Sequence, residues 1–141
     1  MTTTDRRTMR TRLALQEALA EEIHATGDLS RVTVTGVTER ADVTRRTFYS
    51  HYKDIPTLVA CIEDEAVSDL VPLVQQVSKV TLPELEEAIH AFDPCPGATE
   101  ILAYFREHGN VLSALLGEGG DPAFAERLKE MVREVVQTRA L

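Results

Sequence analysis

Residues 32–54 read VTVTGVTERADVTRRTFYSHYKD. Thr33 can cap a short helix running to about Arg40, with Val34, Val37 and Ala41 on its inner side. Ala41-Asp42-Val43 makes a tight connection, because aspartate tolerates turn and left-handed backbone better than most residues. Thr44 caps a second short helix that carries Arg45, Arg46, Thr47, Tyr49, Ser50 and His51 around an inner Phe48 and Tyr52. Two short helices joined by a turn of three or four residues, the second rich in arginine and hydroxyls, are the components of a helix-turn-helix. The β-branched run 32–35 is the one candidate strand, and without a partner hairpin it does not make a sheet.

The residue types on the second helix fit double-stranded DNA. Arg45 and Arg46 can fork onto guanine O6 and N7, while Thr44 and Thr47 can offer a hydroxyl to a base edge or a methyl to thymine. Thr33, Thr35, Tyr49, His51 and Lys53 can donate to phosphates around the rim, which sets register without reading sequence. The plainer alternatives are a solvated basic helix end for the two arginines and helix packing for Tyr49 and His51. Upstream, Arg6, Arg7, Arg10 and Arg12 give the tail and first turn a positive charge that could reach flanking backbone or a minor groove, or serve only as a soluble tail.

On either side the chain reads as helix. Met9, Leu13, Leu19 and Ile23 lie close to one face of a 3.6-residue repeat, giving a first helix that stops near Gly27. Asp54 is a good cap, with Pro56 in the first turn, for a long helix whose apolar residues run from Ile55 to Val77 by steps of three and four. Pro72 lacks the N–H that bonds back four residues, so a kink or break is expected near Val71. A short amphipathic helix follows Pro83 to Phe92, and Asp93-Pro94-Cys95-Pro96-Gly97 turns the corner. Ile101, Leu102 and Phe105 stripe the next helix, and Val111, Leu112, Leu115 and Leu116 form another turn or two before Gly117-Glu118-Gly119-Gly120. Asp121 and Pro122 then open a last helix striped by Phe124, Leu128, Met131, Val132, Val135 and Val136.

The 141 residues suffice for a core without disulfide or metal staples. A net charge of −8 argues, taken whole, against a nucleic-acid partner. Divided at Lys53, the charge tells a different story. Residues 1–53 hold nine Lys or Arg against seven Asp or Glu, whereas residues 54–141 hold six against sixteen. The positive groups gather where DNA would lie. No apolar run approaches the ~20 residues of a membrane span, and no signal-peptide core follows the N-terminus, so a soluble, cytoplasmic protein is expected.

Other chemistry finds little support. Cys61 reads as a small core residue and Cys95, between prolines, as an exposed thiol; neither has the positive surroundings of a redox sensor. His24, His51, His90 and His108 lack the spacing of a metal site, and no cofactor is implied. The run Glu84-Glu86-Glu87 is a solvated face. With no nucleophile–base pair or phosphate-binding loop, a non-enzymatic protein is expected.

Residues 10–60, and above all the run from Val32 through Ala41-Asp42-Val43-Thr44-Arg45-Arg46-Thr47-Phe48-Tyr49 to Asp54, resemble the DNA-binding domain of the TetR family of bacterial transcriptional regulators. Weaker similarity continues through 99–131, TEILAYFREHGNVLSALLGEGGDPAFAERLKEM, to the helical ligand-binding half of such proteins. The resemblance implies that the matching residues of the second helix enter the major groove, and that Tyr49, His51 and Lys53 touch phosphates. Asp42 stands where the family turn usually has glycine, and Ile55 where a phosphate-facing lysine is frequent. Gly36 lies within the first helix of the motif, where it costs ~1 kcal/mol against alanine. Family members usually add two more long helices that build a dimeric four-helix bundle, so the chain looks shortened at Leu141.

The expectation is therefore an all-α protein: a three-helix DNA-binding domain over 1–53 and a helical regulatory body, for effector and dimer, over 54–141. Its function would be operator binding by a homodimer, most simply as a repressor, with any small-molecule effector acting through the long helix by a coupling of ~1–3 kcal/mol. Val59, Ile62, Ala66, Leu102, Phe105, Leu112, Leu116 and Phe124 are the candidate effector-pocket walls, and would equally serve as plain core. The alternative is a protein-binding adaptor that keeps the fold and has lost operator binding, as Asp42, Ile55 and the missing helices suggest.

Overall fold

The structure, a computed structural model, describes residues 3–95 and 97–140; Met1, Thr2, Pro96 and Leu141 lie outside the described residues. The helices are α1 (Thr3–Thr26), α2 (Val34–Ala41), α3 (Arg45–His51), α4 (Ile55–Ser78), α5 (Leu82–Ala91), α6 (Ala98–Leu116) and α7 (Pro122–Ala140), with a 3₁₀ turn at Leu29–Arg31. The described residues contain no strand, and the fold is all-α. The chain divides into two compact units: Met1–Glu63 with Asn110–Pro122, and Asp64–Gly109 with Ala123–Leu141. The boundary between units falls within α4 and α6, nine residues beyond the start of the long helix at Ile55 in the first case.

In the first unit α1 packs on α2 and on the 3₁₀ turn. Leu15, Ala18, Leu19, Ala20 and Ile23 are the buried residues of α1, while Met9 and Leu13 are about half exposed, 49% and 50%. Leu19 and Ile23 of the expected stripe are therefore buried, while Met9 and Leu13, nearer the start of the helix, are not. The helix also begins at Thr3, so Arg6, Arg7, Arg10 and Arg12 stand on regular helix and not on a tail. Gly36, costly by propensity, has a structural reason: a Cβ there would run into the Glu22 carboxylate of α1 and crowd the Thr33 hydroxyl.

The returning segment 110–122 is fastened to α1 and the 3₁₀ turn. Asn110 Nδ2 donates to Glu17 Oε1 at 2.8 Å, and the Leu29 amide donates to the Gly119 carbonyl at 2.7 Å. Gly119 has φ +84°, and a side chain there would meet the backbone carbonyl of Gly27. Only glycine satisfies both the left-handed backbone and the close approach.

In the second unit Tyr104 donates its hydroxyl to Asp69 Oδ2 at 3.0 Å, and Arg127 reaches Asp64 Oδ1 at 2.7 Å. Burial first, then the bond to Asp69, pushes the Tyr104 phenol well above its ordinary pKa and keeps it protonated. Three sequence expectations are corrected. Of the kink or break expected near Val71, the break does not occur, since helix α4 continues through Pro72. Pro72 and Ser68, whose carbonyl loses its donor, are both exposed, so water can supply the missing hydrogen bond. Helix α6 continues through Gly109 as one helix. Helix α5 starts at Leu82, capped by Thr81 with Pro83 in its first turn, and ends at Phe92 with φ +56°. None of α5 is buried: Leu82, Leu85 and Ile89 are exposed and Phe92 is 96% exposed. Val132 and Val136 of the α7 stripe also face solvent. Cys61 and Cys95 are both half-buried and free, so Cys95 is less open than its flanking prolines suggested.

Candidate nucleic-acid interface

Helices α2 and α3 are set by local chemistry. Thr33 is extended and its hydroxyl accepts from the Gly36 amide at 3.0 Å, which starts α2. Asp42 ends it in left-handed backbone, φ +56° and ψ +47°, and the Val43 amide returns to the Thr38 carbonyl at 3.1 Å. Aspartate is among the few non-glycine residues that accept this conformation at low cost. Thr44 then caps α3, its hydroxyl accepting from the Thr47 amide at 3.1 Å and lying 3.0 Å from the Thr47 hydroxyl. The turn is therefore Asp42, Val43 and the cap itself.

Packing fixes which way α3 faces. Phe48 is fully buried, Tyr52 nearly so, and their rings lie 5.9 Å apart; Tyr49 stands edge-on to Phe48 at 5.4 Å. Val37 and Thr38 of α2 are buried as well. Thr38 donates its hydroxyl to the Val34 and Thr35 carbonyls, at 2.8 and 3.1 Å, so its burial leaves no polar cost. With Phe48 inward, Arg45, Arg46, Tyr49 and Ser50 are exposed.

The sequence-derived candidates fall into three groups. Arg45, Arg46, Thr35 and Lys53 are exposed, and neither Arg45 nor Arg46 is held in an ion pair among the described residues. Tyr49 is exposed on one side while its ring packs on Phe48; His51 and Thr47 are half-buried. Thr33 and Thr44 accept amide hydrogens as caps, which leaves each hydroxyl its own hydrogen to donate. Ile55 is buried, so it faces inward.

Several contacts were not foreseen. Arg40 of α2 bonds Glu22 and lies 3.6 Å from Glu21, both on α1; the Glu22 bond raises the guanidinium pKa further and removes Arg40 from the free basic surface. Arg12 Nε donates to the Tyr52 hydroxyl at 3.3 Å, tying α1 to the end of α3. The eight candidate pocket walls are split: Val59, Ile62, Leu112 and Leu116 belong to the first unit, Ala66, Leu102, Phe105 and Phe124 to the second. Leu102 is 63% exposed, a surface position. Val59 lines a first-unit cavity of about 410 Å³ between the 3₁₀ turn and the start of α4.

Asp54 anchors the junction after α3. Its Oδ1 accepts from the Thr57 amide at 2.8 Å and the Thr57 hydroxyl at 2.7 Å, and these bonds, hydroxyl first, hold the carboxyl below its ordinary pKa. A carboxyl whose pKa is depressed by folding adds stability above its unfolded pKa of about 4, and loses it as pH falls through the folded value. Asp54→Ala is thus expected to lower the thermal midpoint at neutral pH. The gap from wild type should close below about pH 4, as followed by circular dichroism across pH. A gap that persists undiminished in acid would mean that the carboxylate is not the source.

Over 88 residues, 60% of its length, the chain is 27% identical to an uncharacterized HTH-type transcriptional regulator, YxbF, of Bacillus subtilis (strain 168). The match covers 23% of that protein, so the chain spans under a quarter of the relative. No family model matches the chain, and no solved structure matches it. No helix among the described residues is long and apolar enough to cross a membrane, and no group of metal-ligating side chains is found among them.

Proposed function

We propose that this chain is a sequence-specific, DNA-binding transcriptional regulator of TetR type, a cytoplasmic binding protein and not an enzyme. One observation carries the reading: α3 presents Arg45 and Arg46 to solvent, unpaired among the described residues, on a helix whose cap and buried Phe48 fix its facing. The likeness to YxbF supports regulator function in general. Within this reading α3 enters the major groove, Tyr49, His51, Lys53 and Thr35 hold phosphates, and a homodimer places two such helices one DNA turn, ~34–36 Å, apart. Repression released by an effector is the regulatory mode that fits the resemblance. The test is selection of DNA fragments from a random pool at low salt. Enrichment of one two-fold-related sequence is the expected result, and recovery with no sequence preference rejects it.

A second reading rests on α5. Its exposed Leu82, Leu85, Ile89 and Phe92 form an apolar stripe of the kind that marks protein contacts, which favours an adaptor. An adaptor would show no enrichment in the same selection.

A further inference from the structure

Helices α1 and α5 carry complementary faces. On α5 the exposed Leu82, Leu85 and Ile89 fall within about 60° of one another at about 100° per residue, and Phe92 follows at the helix end. Glu86 and Asp93 lie one turn to either side of Ile89, Glu84 and Glu87 stand further round, and residues 80–105 contain no lysine or arginine. On α1 the exposed Met9 and Leu13 are one turn apart, each with an arginine three residues before it, Arg6 and Arg10. No aspartate or glutamate occurs from Arg6 to Gln16, and Arg6, Arg7 and Arg10 are exposed and in no ion pair among the described residues.

We infer that α1 of one copy docks on α5 of a second copy, Met9 and Leu13 against the stripe of Leu82, Leu85, Ile89 and Phe92, with Arg6 and Arg10 beside Glu86 and Asp93. An apolar stripe with a basic border then meets one with an acidic border, so that burial and charge act together. Pairing α5 with α5, or α1 with α1, would bury apolar surface with like charges facing each other, which costs affinity. Every copy carries both halves. A two-fold axis therefore makes the contact twice, once in each direction, and closes the assembly at two. The contact rests on the homodimer of the functional reading, names the surfaces where the copies meet, and gives Arg6 and Arg10 a partner other than DNA.

Sedimentation equilibrium of the full chain over a range of concentrations measures the association, and the natural chain is expected to reach the mass of a dimer. Reversing α1 (Arg6→Glu with Arg10→Glu) or α5 (Glu86→Lys with Asp93→Lys) should each weaken dimerisation about a hundredfold or more, since like charges then face each other in both contacts. Mixing the two reversed chains should restore it, because each offers the other opposite charge in both contacts. All four positions are exposed, so circular dichroism should show the natural helix content. Ile89→Ser, which removes apolar contact and no charge, should weaken dimerisation about tenfold. Reversed chains that stay apart when mixed overturn the pairing of α1 with α5. A dimer that the reversals and Ile89→Ser leave unchanged overturns the named surfaces and leaves the homodimer standing, whereas a monomer at every concentration overturns both and assigns α5 to a foreign partner. If a reversed chain does not fold, Ile89→Ser and the natural chain still decide: a dimer as tight with serine at 89, or one indifferent to rising salt, overturns the contact.

Discussion

Replacing Arg45 and Arg46 together by alanine is expected to weaken binding to the selected DNA about thirtyfold or more, with little change in the unfolding midpoint. Each arginine that forks onto a guanine contributes about 1–3 kcal/mol of discrimination, so the pair accounts for about 2–6 kcal/mol, at a factor of ten per about 1.4 kcal/mol. Stability should be spared because both side chains are exposed and outside any ion pair among the described residues, and alanine is a good helix former. The salt dependence of the residual binding distinguishes two roles. Phosphate contacts would weaken all sequences alike and flatten the salt slope, whereas base contacts would remove preference for the selected sequence. Arg40→Ala is the internal control. Arg40 lies one turn away in the chain but is held by Glu22 and Glu21, so its loss should disturb the α1–α2 contact and leave sequence preference intact. Anisotropy on selected and scrambled duplexes measures all three proteins. Preference that survives the double substitution would remove α3 from the reading role.

The parts of the fold legible in the sequence are those fixed within a few residues. Thr33, Thr44 and Asp54 each accept an amide hydrogen from three residues ahead, a bond determined by side-chain reach and independent of the rest of the molecule. The left-handed turn at Asp42 belongs to the same class. What the sequence misplaced depends on partners distant along the chain. Which residues of α1 are buried is decided by where α2 and the 3₁₀ turn pack along it. Pro72 looked like a break because its lost hydrogen bond is local, while its tolerance comes from facing water. The candidate interface follows the same division: Arg45 and Arg46 could be placed from Phe48, three and two residues on, whereas the pairing of Arg40 with Glu22, eighteen residues back, could not.

Phe48→Ala is expected to destabilise the first unit by about 3–5 kcal/mol, a large share of the roughly 5–15 kcal/mol that holds a natural domain together. Phe48 is fully buried on a helix of seven residues that is too short to persist without tertiary packing, so the cavity left behind also removes what orients α3. Tyr49 and Tyr52 lie 5.4 and 5.9 Å from its ring, and the chain has no tryptophan, so with Tyr104 of the second unit replaced by phenylalanine, tyrosine emission reports on this cluster during urea unfolding. Phe48→Leu, which keeps much of the volume, should cost about 1 kcal/mol and retain DNA preference in proportion to its folded fraction. The two variants separate packing from recognition, since neither changes a group that could touch DNA. A Phe48→Ala protein that unfolds at the natural midpoint would show that α3 is positioned by something other than this buried ring, and the assignment of its outward face to Arg45 and Arg46 would lose its physical basis.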